Sequence, residues 1–207
     1  MNNIYQKEAK IQHINILLIE DNPGDAKLVE IYLKDATSIN FKLKHAVRLS
    51  EGMQIAQQNP EFDIVLLDLS LPDSRGFQTL TKAMQGFPKH ISIVVLTGLD
   101  DESLGMKAVE MGAQDYLVKG QIDTSSLTRS VLHAIQRQRM QIQVEETARN
   151  LRTSEDRLIQ AQNIACIGNY ELEINTNEMY WSQQIFRIFG MNDDIEKPNF
   201  DDYLDQI

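Results

Sequence analysis

Apolar and polar positions follow two rhythms along this chain, and the two take turns. Compact apolar runs stand at residues 15–19 (NILLI), 64–67 (IVLL) and 91–96 (ISIVVL). Runs of that length without alternation fit strands covered on both faces, as in a parallel sheet. Residues 41–46 instead alternate Phe, Lys, Leu, Lys, the pattern of an edge strand. A fifth short strand is expected at 115–118. Between the strands, helical spacing runs over 25–36, 49–58, 77–85 and 102–111, the last closed by Gly112 as a C-cap. In the first of these, Leu28, Ile31, Tyr32 and Asp35 are spaced as a covered face. A further helix begins at Leu127. Strict strand–helix alternation with short links predicts an α/β fold, a doubly wound (βα)5 parallel sheet with helices on both faces.

From Leu127 to Gln162 there is neither proline nor glycine, which predicts one long helix. Met140, Val144, Thr147, Leu151, Ser154, Leu158 and Ala161 step by four and three along it. That is a heptad seam with two polar members, and it predicts a homodimer through this helix. A solvated linker helix is the plainer alternative. Beyond Ala161 the rhythm changes again. Residues 167–174 alternate as a strand, 175–177 (NTN) form a turn, and 178–181 return as the second strand of a hairpin. Ser182 then caps a short helix that runs through Phe189 and stops at Gly190. This reads as the beginning of a second domain, with too little chain after it for an independent core of usual size. The expected division is a polar tail at 1–13, a core domain at 14–126, a long helix or coiled-coil linker at 127–162 and a partial α+β segment at 163–207.

Charge sharpens this organisation. Of the formal net charge of −10, nine acids against two bases place −7 between Cys166 and Ile207. Such a balance argues against nucleic-acid binding. No apolar stretch approaches the roughly 20 residues of a membrane span, and the polar start lacks the apolar core of a signal peptide. A cytoplasmic setting is expected, which the single cysteine, Cys166, also fits. A buried structural role is the expectation for that thiol.

The ends of the strands carry the chemistry. The first is followed by Glu20 and Asp21, the third by Asp68, the fourth by Thr97 and Gly98, and the fifth by Lys119. Parallel strands deliver these ends to one edge of the sheet, where ligands bind in such folds. Taken singly, an aspartate or threonine after a strand is more often a cap, and a terminal lysine is more often solvated. Together they make a site. Three carboxylates repel one another unless a cation is bound. Mg2+ fits an oxygen-ligand set of this kind. Thr97 can donate to a phosphoryl oxygen, Lys119 can pair with another, and Gly98 leaves room for the incoming group. An aspartate carboxylate beside the ion can then act as a nucleophile at phosphorus.

The stretches ILLIEDNPGDA, IVLLDLSLPDSRG, IVVLTGLDDE and GAQDYLVKG, in that order and spacing, resemble the receiver domain of bacterial two-component response regulators. The likeness covers roughly residues 14 to 136. It implies a flavodoxin-like phosphorylation switch. A cognate histidine kinase or phosphotransfer protein would donate the phosphoryl group to Asp68. The resemblance assigns Glu20, Asp21, Asp68 and the backbone carbonyl of Ser70 to Mg2+, Thr97, Gly98 and Lys119 to the phosphoryl group, and Thr97 with Tyr116 to the switch. Two departures stand out. Lys119 is followed by Gly120 where the family usually has proline, so a trans bond is expected. The first acid is Glu20 rather than aspartate, which implies a reach to the metal through water.

Roughly residues 154 to 207 resemble the opening of a PAS domain, chiefly through Trp181, Ser182 and the segment 186–190. A receiver, a seamed helix and a PAS start imply a switch acting on a downstream PAS or output domain in cis, with no enzymatic activity of its own. Two alternatives remain: a fragment of a hybrid histidine kinase or diguanylate cyclase, or a receiver-like module used only for dimerisation. A phosphatase of the haloacid type would need an aspartate where Ser70 stands. His133 sits in the long helix with no acid directly after it, and reads as a helix-surface histidine.

Overall fold

The structure is a computed structural model and describes residues 12–37, 39–59, 61–98, 102–176 and 178–190. Most of the polar N-terminal tail, Asn177 of the hairpin turn and the acidic stretch after Gly190 lie outside the described residues. The chain divides into two compact units, 1–143 and 144–207.

In the first unit, β1 (Gln12–Ile19), β2 (Ile39–Ala46), β3 (Ile64–Asp68), β6 (Ser92–Thr97) and β7 (Asp115–Val118) form one sheet of order β2-β1-β3-β6-β7. Every neighbouring pair is parallel. This is the flavodoxin-like order, in which the strand sequence reverses between β1 and β3. All of β3 and β6 is buried, as their unbroken apolar runs predict. The edge strand β2 alternates, as its sequence does. Successive residues of β3 serve opposite faces. Ile64 and Leu66 join Ile16, Leu18, Val94 and Leu96 under α1 (Pro23–Lys34) and the start of α5 (Thr124–Ala165). Val65 and Leu67 join Leu17, Ile19, Ile93 and Val95 under α2 (Leu49–Gln58), α3 (Phe77–Gly86) and α4 (Glu102–Glu110).

The covered face of α1 differs from the expected one. Leu28 is 47% and Ile31 40% exposed, and the buried side chains are Ala26, Val29 and Leu33. Both stripes satisfy helical spacing. The stripe of Ala26, Val29 and Leu33 is the one that lies against the sheet. Between β3 and α3 the Pro72-Asp73 pair forms the tip of a miniature hairpin, β4 (Ser70–Leu71) against β5 (Ser74–Arg75), rather than a turn leading straight into the helix.

Helix α5 begins three residues earlier than expected and runs for 42. Leu127, Val131, Ala134 and Ile135 anchor it in the core. Polar bonds hold the next turns: Ser130 Oγ donates to Asp115 at 2.7 Å, and Arg139 pairs with Asp63 at 2.9 Å. His133 is exposed, as expected. The seam residues from Met140 to Ala161 lie in this helix, and all seven are exposed in the single chain.

In the second unit, β8 (Tyr170–Glu173) and β9 (Glu178–Trp181) make the expected antiparallel hairpin, and α6 (Gln183–Phe189) ends at Gly190 in the left-handed region. Ser182 stands at the N-cap, but its hydroxyl accepts from Asn169 N–H at 3.0 Å instead of capping the helix. Trp181 packs against Phe186 and Phe189. Cys166 is exposed, contrary to the buried role expected for it: it lies at the turn that ends α5, with φ of +52°.

Candidate phosphoacceptor site

The reversal of strand order between β1 and β3 opens a crevice beyond their carboxyl ends. Register places the chemistry there. Ile19 pairs with Leu67, so Glu20 follows β1 where Asp68 ends β3. Asp68 pairs with Leu96, so Thr97 stands one step beyond it, and Thr97 pairs with Val118, which Lys119 follows.

Glu20 is fully buried. Its Oε1 accepts from Asn22 N–H at 3.0 Å, and its Oε2 lies 2.7 Å from Lys119 Nζ. Asp68 is 5% exposed. Its Oδ1 accepts from Ser70 N–H at 3.1 Å, and its Oδ2 from Lys119 Nζ at 2.9 Å. Burial raises the Glu20 carboxyl to about 7; Lys119 opposes this shift and the Asp68 charge adds to it. Burial works against the Lys119 ammonium, but Glu20 and Asp68 outweigh it, so the lysine is held charged more firmly than usual.

One carboxylate oxygen each from Glu20, Asp21 and Asp68 lies within 4.8 Å of the others. The donor set fits a hard divalent ion: oxygen ligands only, crowded negative charge, and one exposed member, Asp21, on the solvent side. Ser70 reaches the site through its backbone N–H on Asp68.

Thr97 is 2% exposed, and its hydroxyl has no hydrogen-bond partner among the described residues. A buried unpartnered hydroxyl is unfavourable. Gly98 is exposed, and a Cβ there would meet nothing among the described residues within 4 Å. Tyr116 is half-buried, its ring lying over Gly105 of α4. No peptide bond among the described residues is cis, Lys119-Gly120 included, and residues Lys119–Gln121 wind into a 3-10 turn.

The structure adds one member to the site. Asp25 Oδ2 lies 3.0 Å from Lys119 Nζ. Asn22 caps α1 through Gly24 and Asp25 N–H, which sets Asp25 in the first turn facing the lysine. The sequence signal was the Asn-Pro-Gly-Asp helix start, which places an acid in the first turn but does not show what it meets.

Residues 16–132 match the family model of the response regulator receiver domain. The chain is 34% identical over 106 residues to the "Probable transcriptional regulatory protein SilR" of Salmonella typhimurium, a match covering 51% of this chain and 44% of that protein. It is 32% identical over 104 residues to the transcriptional regulatory protein SrrA of Staphylococcus aureus, covering 50% and 41%. The chain thus spans less than half the length of these relatives. Its fold is that of a response regulator receiver domain protein from Clostridium thermocellum, at 24% identity and a TM-score of 0.53 over 61% of this chain and 98% of that one.

Proposed function

The chain belongs to the response regulator receiver domain family, and on that premise we propose that it is a phosphorylation switch whose phosphoacceptor is Asp68. The observation that carries this reading is the nearly buried Asp68 carboxylate at the strand-order reversal, 2.9 Å from Lys119 and grouped with Glu20 and Asp21.

An Asp68 carboxylate oxygen attacks the phosphorus of a phosphohistidine on a kinase or phosphotransfer partner. A P–O bond forms, the P–N bond breaks, and its electron pair stays on the imidazole nitrogen of the donor. Glu20, Asp21, Asp68 and the Ser70 carbonyl would hold Mg2+, which supplies charge neutralisation to the crowded oxygens when bound. Lys119 pairs with one phosphoryl oxygen and Thr97 donates to another, beside Gly98. The new group adds up to two negative charges and three acceptor oxygens. Thr97 turning toward it empties space near Tyr116, and the face made by α4, β7 and the start of α5 changes with it. The ligand can shift this equilibrium only by its differential contacts with the two states.

We read 14–126 as the receiver core, 127–162 as its linker and 163–207 as the start of a PAS domain through which the switch acts on an output region. The exposed heptad seam supports a homodimer along the linker.

Acetyl phosphate with Mg2+ should add about 80 Da, one phosphoryl group, to the intact mass. Asp68→Asn should abolish the adduct; a chain that gains none, or a variant that keeps it, removes the reading. Light scattering at tens of micromolar should give twice the monomer mass, and Leu151→Asp should halve it.

A further inference from the structure

A lysine ammonium has three N–H donors. Three carboxylate oxygens stand within bonding distance of Lys119 Nζ: Glu20 Oε2 at 2.7 Å, Asp68 Oδ2 at 2.9 Å and Asp25 Oδ2 at 3.0 Å. Asp68 and Asp25 accept hydrogen bonds from it, while the Glu20 oxygen makes a close ion pair outside hydrogen-bond geometry. An arriving phosphoryl oxygen must compete with these three carboxylates for the ammonium.

The three partners are unequal. Glu20 has no exposure, and losing Lys119 would leave its charge buried with only the Asn22 N–H, which is strongly unfavourable. The Asp68 side chain is 7% exposed and is itself the atom group that carries the phosphoryl unit. The Asp25 side chain is 32% exposed, so its carboxylate returns to water at little loss. It also lies in the first turn of α1, where a negative charge is favoured without any lysine. Asp25 is the partner that can be exchanged.

We propose that Asp25 is a positioning residue that holds Lys119 in the resting state and competes with the phosphoryl group for it, so that this acid limits how readily Asp68 becomes phosphorylated and how long it stays so. The inference rests on Asp68 being the phosphoacceptor. Two effects of Asp25 have the same sign. Its carboxylate occupies one Lys119 donor that a phosphoryl oxygen would otherwise take, and its charge repels the phosphoryl oxygens.

The test uses the full chain, acetyl phosphate and Mg2+, read by intact mass. Asp25→Asn and Asp25→Ala should each raise the phosphorylated fraction at sub-saturating donor, and lengthen the half-life after donor removal, by about three- to tenfold. Asp25→Glu should return both toward wild type. Mg2+ affinity by calorimetry should change less than about twofold, since Asp25 lies outside the Glu20–Asp21–Asp68 oxygen cluster. A merely structural acid would lower the unfolding midpoint without lengthening the half-life, and that result overturns the proposal. So does an unchanged or reduced phosphorylated fraction in both variants, or a loss of Mg2+ affinity in step with it. A wild-type chain with no Asp68-dependent adduct overturns the phosphoacceptor reading and this inference together. A normal wild-type adduct with indifferent Asp25 variants overturns this inference alone.

Discussion

Asp73 caps helix α2 from 24 residues away in sequence: its Oδ1 accepts from Leu49 N–H at 3.0 Å and its Oδ2 from Ser50 N–H at 2.9 Å. The residue at the N-cap position, Arg48, makes no side-chain cap of its own. The β4–β5 miniature hairpin carries Asp73 at its tip, so the loop after the Asp68 strand is tied to the start of α2.

Asp73→Ala should therefore destabilise the chain by about 1 kcal/mol, the usual worth of a helix cap. Partial burial works against ionisation of Asp73, but the Ser50 N–H, the Ser50 hydroxyl and the Leu49 N–H outweigh it and hold the carboxyl below its ordinary value. A depressed folded-state pKa gives stability that is fully present above the unfolded value and is lost as pH falls through the folded one. The gap between wild type and Asp73→Ala in urea unfolding should be constant near neutrality and narrow on acidification below about pH 4. A gap that widens in acid contradicts the assignment.

The Thr97 hydroxyl separates folding from switching. Because it is buried and unpartnered among the described residues, replacing it with a methyl of similar shape removes no hydrogen bond they make. Thr97→Val should leave the thermal midpoint within about 2 °C of wild type or above it. Asp68 should still be phosphorylated, but the amide shifts of β7 and α4 on phosphorylation should shrink. Wild-type shifts in the valine variant would show that the hydroxyl takes no part in the switch.

Asp21 gives a separate test of the metal cluster. It is the exposed member and, unlike Glu20 and Asp68, is not paired with Lys119. Asp21→Asn should leave folding stability unchanged to about 0.5 kcal/mol, as for a surface substitution. It should weaken Mg2+ binding by at least about tenfold, because a ligand charge is lost. Calorimetric titration reads the affinity directly. An affinity equal to wild type would place the ion elsewhere.

Much of the frame could be read from the chain because burial writes itself into composition. β3 and β6 are covered on both faces and appear as unbroken apolar runs, while the edge strand β2 alternates. The strand-end residues Glu20, Asp68, Thr97 and Lys119 followed once the strands were parallel. Face assignment in α1 did not follow, since Leu28–Ile31 and Ala26–Val29–Leu33 obey the same period and only tertiary packing chooses between them. The Asp25–Lys119 pair joins residues 94 apart, and the Asp73 cap depends on the hairpin that carries it. Both rest on side-chain reach across the fold, which no local pattern encodes.

The contact between Gly105 and Tyr116 gives a last test. A Cβ at Gly105 would stand 2.3 Å from Tyr116 Cδ2 and 2.7 Å from Cγ, with the ring's rigid body in the way. Gly105→Ala should push the ring out of its half-buried position on the core beneath α4. The expected loss is about 1–3 kcal/mol of overpacking, offset by up to about 1 kcal/mol from the better helix propensity of alanine. In a Tyr116→Ala background the clash is gone and only the propensity gain remains, so Gly105→Ala should there be neutral or stabilising. A double-mutant cycle by urea unfolding measures the coupling. If Gly105→Ala has the same effect in both backgrounds, α4 itself moves to accept the methyl and the tyrosine ring is not what the glycine accommodates.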